Sequence, residues 1–249
     1  MKNIVYKSEK LAEFFAVNRI AYSQFYESER KVIEKIGLQR GKTVLDIGCG
    51  CGGLGLALRD EFDLDNYTGI EINTKASKVA RQLNSKALIL NSDLLDVASL
   101  GLDGVQFDAV FSLSGIDWNV RFSDMFDAAW SFVAPGGFLV STFRLTTEGG
   151  CLDPMVSFQH INFEEECEEK EVACYVVLNA ADLFKKIKIF NPSKVISYGY
   201  WGPPSKTAKT PYRQLCFSAF ALKKRLKNEK GSTTADLLLP QDILRQFSD

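Results

Sequence analysis

The sequence predicts an α/β fold: a doubly wound, seven-stranded sheet, mostly parallel with an antiparallel last strand, and helices on both faces. Three observations carry this. Val44 to Gly55 reads VLDIGCGCGGLG, an apolar run that ends in an acid and breaks into alternate glycines. From Thr43 to Phe143, short apolar runs alternate with segments of helical period, the pattern of βαβ units with right-handed crossovers. Near the C-terminus two apolar runs, Val195 to Tyr200 and Gln214 to Leu222, are joined by WGPPSKTAKTPYR. That joint is too short and too rich in proline for a crossover helix, so the two runs pair antiparallel.

Each element follows in order. Before Gly37, Leu11, Phe14, Phe15, Ile20, Phe25, Val32, Ile33 and Ile36 recur near the spacing of an amphipathic helix. Gly37 ends that pattern as a helix cap. The strands are Thr43–Ile47, Tyr67–Ile72, Ala87–Leu90, Phe107–Leu113 and Phe138–Phe143. Between them, Leu54–Phe62, Thr74–Leu83 (with Thr74 as N-cap) and Phe122–Val133 form helices. The strands are almost continuously apolar because a parallel sheet is covered on both faces. Residues 144–178 hold a glycine pair, a proline and the run Glu164-Glu165-Glu166, and read as an insertion. Asn179–Lys186 reads as a capped helix. The expected organisation is one domain over 1–223, with a helical cover over 1–40, the insertion capping an acceptor site, and a tail over 224–249 carrying a linker and a short docking helix.

Composition narrows the function. The chain has 249 residues, a net charge of −1 and 46% hydrophobic residues. No global field favours nucleic acid or an anionic membrane. No apolar run approaches the roughly 20 residues that span a bilayer. The N-terminus lacks an apolar leader segment, and six cysteines stand without a C-x-x-C pair beside a single histidine. A reduced, cytoplasmic protein without a zinc site is the expectation.

Gly48, Gly50 and Gly53 match G-x-G-x-x-G, which alone fits a dinucleotide or S-adenosylmethionine. Asp46 discriminates between them. A carboxylate beside a pyrophosphate repels it, whereas beside a cationic sulfonium ligand it is favourable. Asp46-x-Gly48-x-Gly50-x-Gly52 resembles the first motif of class I S-adenosylmethionine-dependent methyltransferases. Glu71 at the end of the second strand, Asn91-Ser92-Asp93-Leu94 after the third, FDAVFSLSG, and APGGFLV resemble the motifs that follow in that family. The resemblance spans roughly Gly41 to Lys223. It implies that Asp46, Gly48, Cys49, Gly50, Gly52, Glu71, Ile72, Asp93, Leu94 and Ser112 hold the cofactor. Within that set, Glu71 takes the ribose hydroxyls and Asp93 the adenine amino group.

Ligands in open α/β sheets bind beyond the carboxyl ends of the strands. The acceptor therefore meets Asp117-Trp118-Asn119 after the fourth strand and Arg144 after the fifth. Trp118, Asn119 and Arg144 are substrate-binding candidates, Arg144 as a bidentate clamp for an acidic group. Asp117 and His160 are the candidate proton acceptors; imidazole is the side chain whose ordinary pKa suits that role near neutral pH. Gly53 and Gly55 read as packing glycines. The expected reaction is in-line methyl transfer from S-adenosylmethionine, leaving S-adenosylhomocysteine, to a small-molecule or glycan-precursor acceptor. Two other readings remain open on sequence: a non-catalytic protein retaining the fold for binding, and an NAD(P)-dependent oxidoreductase.

Overall fold

The computed structural model describes residues 9–161 and 171–248. The acidic run Glu164-Glu165-Glu166 and Cys167 lie outside the described residues. The N-terminal half begins with α1 (Glu9–Val17) and α2 (Glu27–Ile36). Then come β1 (Val44–Ile47), α3 (Gly53–Phe62), β2 (Tyr67–Ile70), α4 (Thr74–Leu83) and β3 (Leu88–Leu90). A short α5 (Val97–Leu100) precedes β4 (Phe107–Ser112), α6 (Phe122–Ser131) and β5 (Val133–Thr146). The C-terminal part holds β6 (Phe158–His160), β7 (Val172–Cys174), β8 (Leu178–Asn179), α7 (Ala180–Phe190) and β9 (Lys194–Gly202). It ends with β10 (Ala208–Lys209), β11 (Leu215–Lys223), β12 (Thr234–Leu238) and α8 (Gln241–Ser248).

The main sheet runs β12-β9-β11-β5-β4-β1-β2-β3, with β8 added against β5. β1 is parallel to β2 and β4, and β4 to β5. β11 is antiparallel to both β5 and β9, as the proline-rich joint predicts. One face packs Phe126, Phe143, Phe184 and Phe220 under α6 and α7; the other packs Val32, Ile33, Leu58 and Phe111 under α2 and α3. Both faces are therefore dry, which is why the central strands read as unbroken apolar runs.

Three local readings change. The N-cap of α4 is Asn73, not Thr74: its side chain accepts from the N–H groups of Lys75 and Ala76. Gly37 does cap α2 in the left-handed region, with φ 64°. The tail, read as linker and helix, also supplies β12, which pairs parallel with β9 from Thr234 opposite Lys194 to Leu238 opposite Tyr198. It covers the edge of β9, whose N–H and C=O groups would otherwise stand unpaired. The helix α8 then buries Ile243 completely and sets Phe247 edge-on to Phe184 at 4.9 Å. Residues 158–160, 172–174 and 208–209 form a separate three-stranded antiparallel sheet, order β10-β6-β7, whose strands are too short for a period-based reading.

Candidate active site

The glycine loop leaves β1 at its carboxyl end. Gly48 and Gly50 hold φ of 71° and 55°, the left-handed region where a side chain is strained. That geometry turns the N–H groups of Gly48 and Cys49 onto the carbonyl of Ile70, at 2.8 and 3.0 Å, and so locks the loop to β2. Gly53 has a different reason. A Cβ there would lie 2.1 Å from the carbonyl oxygen of Arg19, so the segment between α1 and α2 lies directly on the start of α3. The Cys51 thiol donates to the carbonyl of Ala12 at 3.2 Å, which seats α1 on the same loop. Gly53→Ala is expected to lift residues 18–20 off α3 and cost about 1–3 kcal/mol by overpacking. Limited proteolysis at the N-terminus, faster in the variant, together with a lowered melting temperature, checks it.

Two acids stand behind and beside the loop. Glu71 follows β2 and is 6% exposed. Its Oε2 accepts from the Gly50 N–H at 2.8 Å and its Oε1 from the Asn73 N–H at 2.7 Å. Burial pushes its carboxyl above the usual range, and those backbone donors pull it part of the way back. Asp46, on β1, is 4% exposed and accepts from the Tyr67 hydroxyl at 2.6 Å. Burial pushes its carboxyl up to about 7; the Tyr67 hydrogen bond opposes this and the charge of Glu71 adds to it.

A half-open cleft of about 100 Å³ lies at this edge of the sheet. Gly48, Glu71, Ile72, Asp93 and Leu94 line it, as do Trp118 and Asn119. Among the described residues, Glu71 and Asp93 are the ionisable ones in the lining, and no lysine or arginine contributes to it. Asp93 Oδ1 accepts from the Leu95 N–H at 2.9 Å, which fixes the turn after β3. Ile47, Ile70, Ser92, Ser114, Gly115 and Met125 also line the cleft; Ser92, Ser114 and Gly115 stand in the motifs read from sequence, while Ile47, Ile70 and Met125 were not singled out. Gly115 had a signal in principle, since a Cβ there would lie 2.6 Å from the Ser112 hydroxyl. Met125 had none: it reads as one more apolar residue on the core face of α6.

The other expected residues lie outside the lining. Gly50, Gly52 and Cys49 build the loop beneath the cleft, and Cys49 packs its sulfur against Gly69. Ser112 is fully buried and accepts from the Ile116 N–H at 3.0 Å, shaping the turn that carries Trp118. Asp117 and Arg144 are brought together. Arg144 Nη2 donates to the Asp117 backbone carbonyl and lies 3.3 Å from Asp117 Oδ2, and its Nε donates to the Val176 carbonyl at 3.0 Å. Burial pushes the Asp117 carboxyl up while the Arg144 guanidinium pulls it down. Asp117 Oδ1 is buried without a hydrogen-bond partner among the described residues. His160 stands apart, on β6 of the outer sheet, edge-on to Phe158, with Nδ1 buried and without a partner among the described residues.

Residues 44–137 match the family model described as a methyltransferase domain. Over these residues the chain is similar to class I methyltransferases. This methyltransferase-fold chain is 28% identical over 96 residues to an rRNA N(6)-adenosine-methyltransferase of Caenorhabditis elegans, covering 36% of this chain and 42% of that one. It is 31% identical over 138 residues to an O-methyltransferase of Pyrenophora dematioidea, covering 51% and 49%. The chain thus spans about half or less of the length of these curated relatives. Among solved structures it is similar to phosphoethanolamine N-methyltransferase 2 of Haemonchus contortus in complex with phosphomonomethylethanolamine and S-adenosylhomocysteine. That likeness has a TM-score of 0.59 and 16% identity, covers 88% of this chain and 58% of that one, and concerns the fold. Among the described residues no helix is long and apolar enough to cross a membrane, and no group of three or more His, Cys, Asp or Glu is placed to hold a metal ion.

Proposed function

We propose that the chain binds S-adenosylmethionine in the cleft and transfers its methyl group to a small-molecule acceptor approaching from the Trp118 side. The observation that carries this reading is the charge of the lining: among the described residues it holds two acids, Glu71 and Asp93, and no lysine or arginine. S-adenosylmethionine carries one net positive charge, whereas the pyrophosphate of a nicotinamide cofactor carries two negative ones. Two carboxylates in a partly dry cleft favour the first and repel the second.

The residues fit that ligand. Each Glu71 oxygen accepts one backbone N–H and keeps a lone pair for a ribose hydroxyl. Leu94 and Ile72 supply apolar walls for the adenine, and Asp93 is placed at the end of β3 to accept from its amino group. Gly48 gives the backbone close approach, while Gly50, Gly52 and Cys49 hold the loop in shape beneath it. Bound there, S-adenosylmethionine supplies an electrophilic methyl carbon on a positively charged sulfur. Trp118 and Asn119 position the acceptor; positioning is the main demand on the protein, because the donor is already activated. Asp117, with its partnerless Oδ1, is our candidate for holding the acceptor's proton, and His160 a second candidate from the outer sheet. The net charge of −1 supports a small molecule or glycan precursor over nucleic acid as acceptor.

Calorimetry tests the cofactor reading. S-adenosylhomocysteine is expected to bind in the micromolar range and NADH not at all; binding of NADH, or of neither, overturns it. For the proton acceptors, His160→Ala is expected to leave S-adenosylhomocysteine affinity within about twofold of the parent, since no His160 atom lines the cleft.

A further inference from the structure

Arg144 is the residue at the end of β5 that sequence reasoning offers to an acidic acceptor. Its surroundings give it another task. It is 5% exposed. Its Nε and Nη2 donate to the carbonyls of Val176 and Asp117, and Nη2 pairs with the Asp117 carboxylate at 3.3 Å. The flat faces of the guanidinium are also occupied. Its central carbon lies 4.3 Å from the centre of the Trp118 ring and 4.0 Å from that of Tyr175. Those two rings meet edge to face, 5.7 Å apart at 78°. Trp118 lines the cleft; Arg144 and Tyr175 do not.

Arg144 therefore ties the turn Ile116–Trp118 to the end of β5 and to the stretch around Tyr175 that follows β7, of which only the last two are also joined by strand pairing, Leu145 opposite Leu178. We propose that Arg144 is a positioning residue, whose guanidinium holds the Trp118 indole as the wall between the cleft and the acceptor side. The acceptor then meets the indole and not the cation. A lysine does not replace it. A lysine ammonium is a point charge on a flexible stem, without the planar fork that serves Val176 and Asp117 while stacking on two rings.

The chain has three tryptophans, Trp118, Trp130 and Trp201. Trp130→Phe with Trp201→Phe leaves Trp118 as the only indole, so its emission and its quenching by acrylamide report directly on its packing. In that background Arg144→Lys is expected to shift emission to the red and raise acrylamide quenching at least twofold. Tyr175→Leu, which removes one ring from the guanidinium without touching the cleft, is expected to move both signals the same way and keeps the test open where the lysine variant fails to fold. Inorganic sulfate, as an anion probe, is expected to leave Trp118 emission unchanged. Parental emission and quenching in a folded Arg144→Lys or Tyr175→Leu protein overturn the proposal, as does a saturable response to sulfate. A further arm rests on the reading of the cleft as the methyl-donor site: S-adenosylhomocysteine affinity is expected to fall about three- to tenfold in Arg144→Lys. Failure of the background protein to bind that ligand counts against the cofactor reading alone, because the emission and quenching arms need no ligand.

Discussion

Glu71→Ala is expected to weaken S-adenosylhomocysteine binding by about 2–4 kcal/mol, the scale of one to two hydrogen bonds to a charged group. That corresponds to a roughly 30- to 1000-fold rise in Kd. The carboxylate does two jobs at once. It takes the N–H groups of Gly50 and Asn73, which fixes the glycine loop against the start of α4. In the proposed complex its oxygens also accept from the two hydroxyls of the ribose. Alanine removes both functions and leaves two buried N–H donors without a partner. Glu71→Gln separates them, since the amide retains one accepting oxygen and loses the charge; its affinity is expected to fall between those of the parent and the alanine variant. Calorimetry at one pH, beside a thermal melt for each protein, checks the series. An alanine variant that binds as the parent does shows that Glu71 only builds the loop.

Asp46→Asn is expected to stabilise the protein at pH 8 and to weaken cofactor binding. Burial holds the Asp46 carboxyl at about 7, against 3.8 for an ordinary aspartate. A folded-state value above the unfolded one means that folding favours the neutral form. The stability tied to that form is fully present below about pH 4 and is lost as pH rises to about 7. At 1.36 kcal/mol per pH unit the loss reaches about 4 kcal/mol, as an upper figure for one buried acid. Asparagine is never charged, and it keeps an oxygen to accept from the Tyr67 hydroxyl, so the variant lacks this loss. The two proteins are expected to match near pH 4 and to separate by up to about 4 kcal/mol by pH 8 in urea unfolding. Glu71 and Asp117 are also pushed up by burial, so the parent's whole pH slope is steeper than one acid explains; the difference between the two proteins isolates Asp46. Parallel pH profiles overturn the assignment. The opposite sign is expected for affinity, because a neutral amide gives up attraction for a cationic ligand. Stability traded against function is common where a charge is buried for a ligand.

Much of this site is legible in the linear order of residues. VLDIGCGCGGLG alone fits two cofactors. Asp46 before the glycines and Glu71 one strand later narrow it, and both prove to be buried acids around one loop. Trp118 and Asn119 were singled out because they stand beyond the carboxyl end of a strand, and Glu71 and Asp93 because the motifs around them resemble those of the methyltransferase family; all four line the cleft. Met125 escaped notice: it lines the cleft because a helix is folded back over it, and neither apolar period nor charge marks such a position. The strand β12 escaped for a related reason: TADLL is short and polar at one end, and its pairing depends on the free edge of β9, some 40 residues earlier.

Sequence by itself determined the alternation of strands and helices, the antiparallel final pair and the acid–glycine loop. These features are set by near neighbours: the period of apolar residues, the glycines that allow left-handed turns, and a joint too short for a crossover. Tertiary structure alone decided what the charged residues touch. Arg144 reads in sequence as a free cation at a strand end, yet it meets an acid 27 residues before it and a carbonyl 32 residues after it, with two aromatic rings against its faces. A buried guanidinium must spend its charge and its donors on whatever surrounds it, and contacts at that separation leave no pattern in the linear sequence.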